Sequence, residues 1–187
     1  ANMWLSNAGQ TALLGPILVM VIIREIAPLF INLIVLARSG TAISAELANM
    51  KVNREIELLE LQGIDPLLYL VMPRVLGMCV SVFCLTIFFI IFSLFSGFFF
   101  GLIMPEFNLD LDHFIRQILT ALKTGDIFNL LSKTLIISFF TALICCIQGL
   151  SIQGYITEVP QACTKAMERS IGMMFLLSAL ISVLTYI

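Results

Sequence analysis

Apolar residues run along this chain in long unbroken blocks, not in the short periodic patches of a water-soluble fold. Between charged residues lie 31 uncharged positions at 75–105, 24 at 134–157 and 18 at 170–187. A fourth block of 27 positions, 11–37, is interrupted only by Arg24 and Glu25. A hydrocarbon layer about 30 Å thick takes about 20 helical residues to cross. Each block therefore predicts one crossing, at 11–37, 75–104, 134–157 and 170–187. The halves of the first block, 13 and 12 residues, are too short to cross alone, which leaves one crossing that carries an ion pair. Lipid offers no partner to backbone N–H and C=O groups, so spanning segments are helices or closed barrels. Phe88, Phe89, Ile90, Ile91 and Phe92 lack the alternation of a barrel strand. The fold class that follows is all-α: a polytopic helical membrane protein with four crossings, forming a single transmembrane domain over 1–187.

Between the first two spans the pattern becomes amphipathic. Residues 45–62 are mostly helix formers without Gly or Pro. Val52, Ile56, Leu59 and Gly63 share one stripe, and Asn53, Glu57 and Glu60 mark a polar one. Lys51 and Glu55 are spaced as an i, i+4 ion pair. Gly63 is expected to supply a left-handed stop, and Asp65 with Pro66 an N-cap and first-turn proline for the next helix. Glu46, Glu55, Glu57 and Glu60 outnumber Lys51 and Arg54. Anionic lipid headgroups repel such a surface, which favours a helix docked on a partner protein over one lying on the bilayer.

Composition sharpens the picture. Charged residues make up 12% of the chain, against about 25% in soluble proteins, and the mean hydropathy is +1.06. This excludes disorder and a basic nucleic-acid-binding face. Lys and Arg are retained on the cytoplasmic side of membranes. Arg38, Lys51, Arg54 and Arg74, with Lys165 and Arg169, make six in the loops 38–74 and 158–169, against Arg116, Lys123 and Lys133 in 106–133. The first two loops are thus expected in the cytosol and the middle loop outside. Cys79, Cys84, Cys145 and Cys146 fall in spans and read as small hydrophobes, with Cys163 in a cytosolic loop. With one histidine, His113, zinc spacing is lacking, and Asp110, Asp112 and His113 read as solvated loop residues. No metal site is expected. The start at Ala1, without Met or a basic n-region before a cleavage site, predicts residues ahead of it.

The chemistry-bearing positions are few. A charge at mid-bilayer is costly unless paired or wet. If a span of about 20 residues ends near Arg38, Arg24 lies about 9 Å inside the outer boundary. Pro28 lacks the N–H that would bond the Arg24 carbonyl. A guanidinium, a carboxylate on Glu25 and an open carbonyl at one depth suit a lipid headgroup, whose phosphate an Arg clasps bidentately. Lys133 opens the third span as a second cation or as a snorkelling boundary residue. Ser93, Gly97 and Gly101 form a small-xxx-small stripe, read as intrachain packing or as a dimer seam, and the Phe-rich span as lipid-facing bulk. The carboxylate expected at membrane depth is Glu25 alone, every Asp falls in a loop, and no internal repeat is evident. An ion-coupled secondary transporter or an intramembrane protease is therefore poorly served. A non-transporting assembly scaffold remains the other alternative.

These residues carry a resemblance. Arg24, Glu25 and Pro28 match R-E-x-x-P, and Arg38, Gly40, Ala42, Ala45 and Glu46 match G-R-x-G-x-A-x-x-A-E with Ala37 in place of its first Gly. Met50 and Ile56 follow, then Asp65, Pro66, Pro73 and Arg74, with Ile64 for the common Val. Lys133, Gly149, Gly154, Ala162, Thr164, Ala166 and Ser170 fit more loosely, and Glu158, Val159 and Pro160 replace a Gly-rich start. The chain resembles the MlaE/YrbE permease family, the membrane subunits of MCE-associated ABC transporters that move phospholipids or other lipids.

The resemblance implies an interfacial helix and one more transmembrane helix ahead of this region. It implies cytosolic ABC ATPase subunits, a second permease copy, a periplasmic ring of MCE proteins, phospholipid cargo, and a bacterial inner membrane ahead of a plastid envelope. It makes the amphipathic segment a coupling helix, with Glu46, Lys51, Glu55, Glu57, Glu60, Gly63 and Asp65 meeting the ATPase. Arg24, Glu25 and Lys133 become lipid-binding candidates. The chain lacks a G-x-x-x-x-G-K-[ST] loop, so it is expected to be non-catalytic and without a cofactor of its own, ATP and Mg being held by the partner.

Overall fold

The computed structural model describes residues 19–103 and 124–186. Among these residues every regular element is helical. Helix α1 is one continuous run through Val19–Ile26, Ala27–Val35, Leu36–Gly40 and Thr41–Val52, the first and third of these π-wound. A short α2, Glu55–Leu61, follows. Helix α3 comprises a π-wound turn, Leu67–Val71, and Met72–Ile103. Helices α4, Thr124–Leu150, and α5, Val159–Tyr186, complete the bundle. Among the described residues, four helices are long and apolar enough to cross a membrane, over Ile22–Val52, Leu67–Gly97, Gly125–Leu150 and Ile156–Thr185. The protein is an integral membrane protein.

Most of these limits differ from the expected spans because helices run on into the polar segments; the exception is α4, which ends at Leu150, short of the expected limit at 157, ahead of a turn in which Gly154 takes φ 103. Helix α1 continues past Arg38 to Val52, α4 begins before Lys133, and α5 begins at Val159. A charge marks the edge of hydrocarbon but does not break a helix. The expected helix at 45–62 is divided between α1 and α2, because Arg54 adopts φ 59 and interrupts the run at residues 53–54. Gly63 does take the left-handed stop, at φ 76, and the Asp65 carboxylate accepts the Leu67 N–H at 2.9 Å. The middle loop, including Asp110, Asp112, His113, Arg116 and Lys123, lies outside the described residues, as does the start of the first predicted span.

Two prolines explain two of the π segments. Pro28 and Pro73 each remove a backbone donor and push against the carbonyl four residues earlier. The turns just ahead of them, Val19–Ile26 and Leu67–Val71, are the ones wound as π-helix. In α1 the second π segment also redirects the buried face. The row Ile23, Ala27, Ile31 and Val35 gives way to Leu36, Gly40, Ser44 and Ala48, since a π turn carries an extra residue.

The core combines branched aliphatic side chains with small ones on α4 and α5. Ile31, Val35, Leu36, Leu47, Val75, Val82, Ala142, Cys145, Cys146 and Ala166 form its main cluster. Small residues let helices approach without a hydrophobic drive between them. The tightest approach is α1 on α4: a Cβ on Gly149 would stand 2.8 Å from the Ser44 carbonyl oxygen. Ser44 Oγ donates to the Cys145 carbonyl at 2.8 Å across the same crossing. Outward-facing positions are apolar, with Phe88, Phe92, Phe95 and Phe99 all exposed, in keeping with lipid-facing bulk. Gly97, on the small-residue stripe of α3, has no atom of the described chain near its missing Cβ.

Gly149→Ala forces backbone apart at the α1–α4 crossing and is expected to cost about 1–3 kcal/mol, the usual range for overpacking. Gly77→Ala, whose Cβ would meet nothing within 4 Å, is expected to be neutral or slightly stabilising. Thermal unfolding in detergent, followed by size exclusion, compares the two.

Candidate functional site

The buried charged side chains, Asp126 and Lys133, lie toward one end of the bundle. Arg24 and Glu25 stand near the described start of α1, Asp126 and Lys133 in the first part of α4, and Ser182 near the end of α5. Arg24 meets Asp126 through both carboxylate oxygens, Nε to Oδ1 at 2.7 Å and Nη2 to Oδ2 at 3.1 Å. Lys133 Nζ donates to Glu25 Oε1 at 2.7 Å, and the same oxygen accepts from Ser182 Oγ at 2.8 Å. Two cations and two anions thus close into a neutral layer joining three helices.

Pro28 completes the arrangement from the backbone. The carbonyl of Arg24, deprived of its i+4 donor by the proline, accepts from Lys133 Nζ at 3.1 Å. The expected open carbonyl is therefore present as a consequence of Pro28, and the lysine takes it. Lys133 does not open its span. It lies nine residues into Thr124–Leu150 with its side chain 0% exposed, which overturns the reading of a snorkelling boundary residue. A buried ammonium persists only with partners, and the Glu25 carboxylate and the Arg24 carbonyl supply them. The Glu25 carboxylate is the accessible member, with 43% of its side chain exposed.

Asp126 is the residue that sequence reasoning missed, since every Asp was expected in a loop. It is helical and 2% exposed. Its signal was its spacing: Asp126, Asn129 and Lys133 follow at i, i+3 and i+7 on one face of α4, and all three are buried.

At the opposite end lies the acidic segment. Lys51 does not pair with Glu55. Its ammonium is hydrogen-bonded to the Leu150 carbonyl at the end of α4, while Glu55 accepts from Asn53 Nδ2 at 3.4 Å. The break at Arg54 carries Glu55 out of the α1 register, and unpaired carbonyls at a helix end draw a cation. Glu46 pairs with Arg74 Nη2 at 2.9 Å, tying α1 to α3. Ile56 and Leu59 pack against the core, whereas Glu57, Leu58, Glu60 and Leu61 are exposed. Lys51, Ile56, Glu57, Glu60, Asp65 and Leu150 are among the residues around a groove of about 430 Å³ beside α2. The site candidates thus separate into two groups: Arg24, Glu25 and Lys133 at one end, and Glu46, Lys51, Glu55, Glu57, Glu60, Gly63 and Asp65 at the other.

Comparison with known proteins gives one consistent result. The family described as Permease MlaE matches residues 1–184. A probable ABC transporter permease protein of Synechocystis is 28% identical over 95% of this chain and 67% of its own length. A probable ABC transporter permease protein of Rickettsia typhi is 27% identical over 92% of the chain and 66% of its own length. The Arabidopsis thaliana chloroplast protein trigalactosyldiacylglycerol 1 is 27% identical over 95% of the chain and 50% of its own length. The chain therefore spans between half and two thirds of these relatives.

Removing one partner of a buried pair strands the other charge, at a cost of roughly 3–5 kcal/mol. Asp126→Asn and Lys133→Met are each expected to fall near the lower figure, because Arg24 and Glu25 reach partly exposed positions. Arg24→Gln with Asp126→Asn is expected to recover most of the loss. A double-mutant cycle on thermal stability in detergent measures the coupling, and additive losses would show that the pair is not energetically linked.

Proposed function

The chain belongs to the permease MlaE family, and on that premise we propose that this transporter permease subunit moves phospholipids or related glycerolipids, driven by a separate ATPase. The observation that carries the lipid reading is the neutral charged layer of Arg24, Asp126, Glu25 and Lys133 inside otherwise apolar helices. A charge-matched layer of this kind answers a headgroup carrying a phosphate, with or without an amine, above apolar chains. The headgroup phosphate competes with Asp126 for the Arg24 guanidinium, which binds either anion bidentately. The exposed Glu25 carboxylate receives a headgroup cation, and buried Lys133 holds Glu25 in place. The Arabidopsis relative, named for a galactosylated diacylglycerol, supports a glycerolipid cargo.

The other end serves the motor. The exposed Glu57, Leu58, Glu60 and Leu61 of α2 offer an acidic and apolar knob to a cytosolic ABC ATPase pair, which binds ATP and Mg and does the hydrolysis. Gly63 and Asp65 set the turn that presents it. Arg74 holds Glu46, and the Leu150 carbonyl holds Lys51, so the knob moves with α1, α3 and α4. The working unit is a homodimer with an MCE ring on its outer side, in a bacterial inner membrane or a plastid envelope. A secondary transporter gains nothing from Asp126, because both carboxylates, Glu25 and Asp126, are matched by a cation.

The test is ATP-dependent transfer of labelled phospholipid by the full complex in vesicles. Arg24→Ala is expected to lower the rate about tenfold, the loss of one charge-assisted contact, with ATPase association intact. Transfer at the wild-type rate would remove Arg24 from the cargo path. Glu57→Lys with Glu60→Lys is expected to abolish association or coupling while the chain still inserts, and normal transport by that variant would overturn the motor assignment.

A further inference from the structure

A second polar feature sits on the α4–α5 face, far from Arg24, and takes no part in the reading above. Two hollows adjoin there. One, of about 530 Å³, is formed among others by Ile144, Ile147, Gly172, Met173 and Leu176, and the other, of about 440 Å³, holds Gln161, Lys165 and Glu158. Ile147, Gln148 and Arg169 belong to both, so the hollows form one groove with an apolar part and a polar part.

Depth along α5 explains the division. The uncharged stretch 170–187 begins immediately after Arg169. A charge at mid-bilayer is costly, so Arg169, the last charge before that stretch, marks the edge of hydrocarbon. Gly172, Met173 and Leu176 then lie at acyl-chain depth. Lys165, one turn further out at about 6 Å, lies at headgroup depth. The absent side chain of Gly172 deepens the apolar part, since nothing stands within 4 Å of its missing Cβ.

Charge decides what suits the polar part. Glu158 is committed, its carboxylate accepting the Gln153 N–H at 2.7 Å. Lys165 and Arg169 are exposed and, among the described residues, neither has a carboxylate within ion-pair distance. An apolar trough that ends at two uncommitted cations is complementary to one anionic phospholipid of the adjoining leaflet. We propose that the α4–α5 groove binds an anionic phospholipid, its phosphate between Lys165 and Arg169 and an acyl chain along Ile144, Met173 and Leu176. The site is independent of the charged layer at the other end and of the transport reading. It requires only that the chain lie in a bilayer.

The test uses the full chain in vesicles of equimolar phosphatidylglycerol and phosphatidylcholine, extracted in mild detergent, with retained lipid counted by mass spectrometry. Wild type is expected to retain phosphatidylglycerol about tenfold over phosphatidylcholine, as two charge-assisted contacts allow. Lys165→Gln with Arg169→Gln is expected to abolish the preference. Equal retention by wild type, or a preference that survives the double substitution, would overturn the proposal. A photoreactive benzophenone side chain at position 173, in an otherwise unaltered chain, gives a check that needs no charge removed. A phospholipid adduct is the expected product, and an adduct with a second copy of the chain would assign the groove to a protein interface instead.

Discussion

The hydrogen bond from Lys133 to the backbone of Arg24 is the contact on which the described bundle turns. A lysine with no exposed surface is tolerable in an apolar interior only when its donors are taken. Pro28 provides for this by leaving a carbonyl that its own helix has no N–H to satisfy. The ammonium then brings Glu25 with it, and Glu25 brings Ser182 of α5. One withheld donor thus lets a single lysine join three helices at this end. Arg24 and Asp126 balance the account of charge beside them, so that the end of the bundle is polar without being charged overall.

Away from that end, contact between α1 and α4 depends on what is absent. Gly149 lets the backbone of α1 approach to where a methyl group would strike the Ser44 carbonyl, and the Ser44 hydroxyl uses the proximity to bond across. Small side chains supply dispersion contact where hydrophobic burial supplies little, lipid being as apolar as the core. Phe88, Phe92, Phe95 and Phe99 of α3 accordingly point outward, the reverse of their place in a soluble protein.

The membrane class and the four crossings were legible because hydropathy acts over tens of residues and needs no tertiary contact. Arg24, Glu25 and Lys133 stood out as charges at membrane depth. Their partners did not, because Asp126 sits 102 positions from Arg24 and looked like the tail of a polar loop. The break at Arg54 was hidden for another reason. Nothing in an arginine announces a left-handed backbone, and Asn53 alone is a weak stop signal, whereas Gly63 and the Asp65–Pro66 pair declared their turn openly. Helix ends were misjudged wherever a charge was taken as a boundary.

Helices α1 and α4 run side by side in the same direction and are fastened toward both ends: by Arg24 and Lys133 at one, and at the other by Ser44 on the Cys145 carbonyl and Lys51 on the Leu150 carbonyl. The first and last fastenings are 27 residues apart along α1, about 40 Å at helical rise. Such a pair is a braced strut. It resists shear between its two members, so a thrust delivered at the Lys51 foot travels to the Arg24 head as tilt of the whole strut.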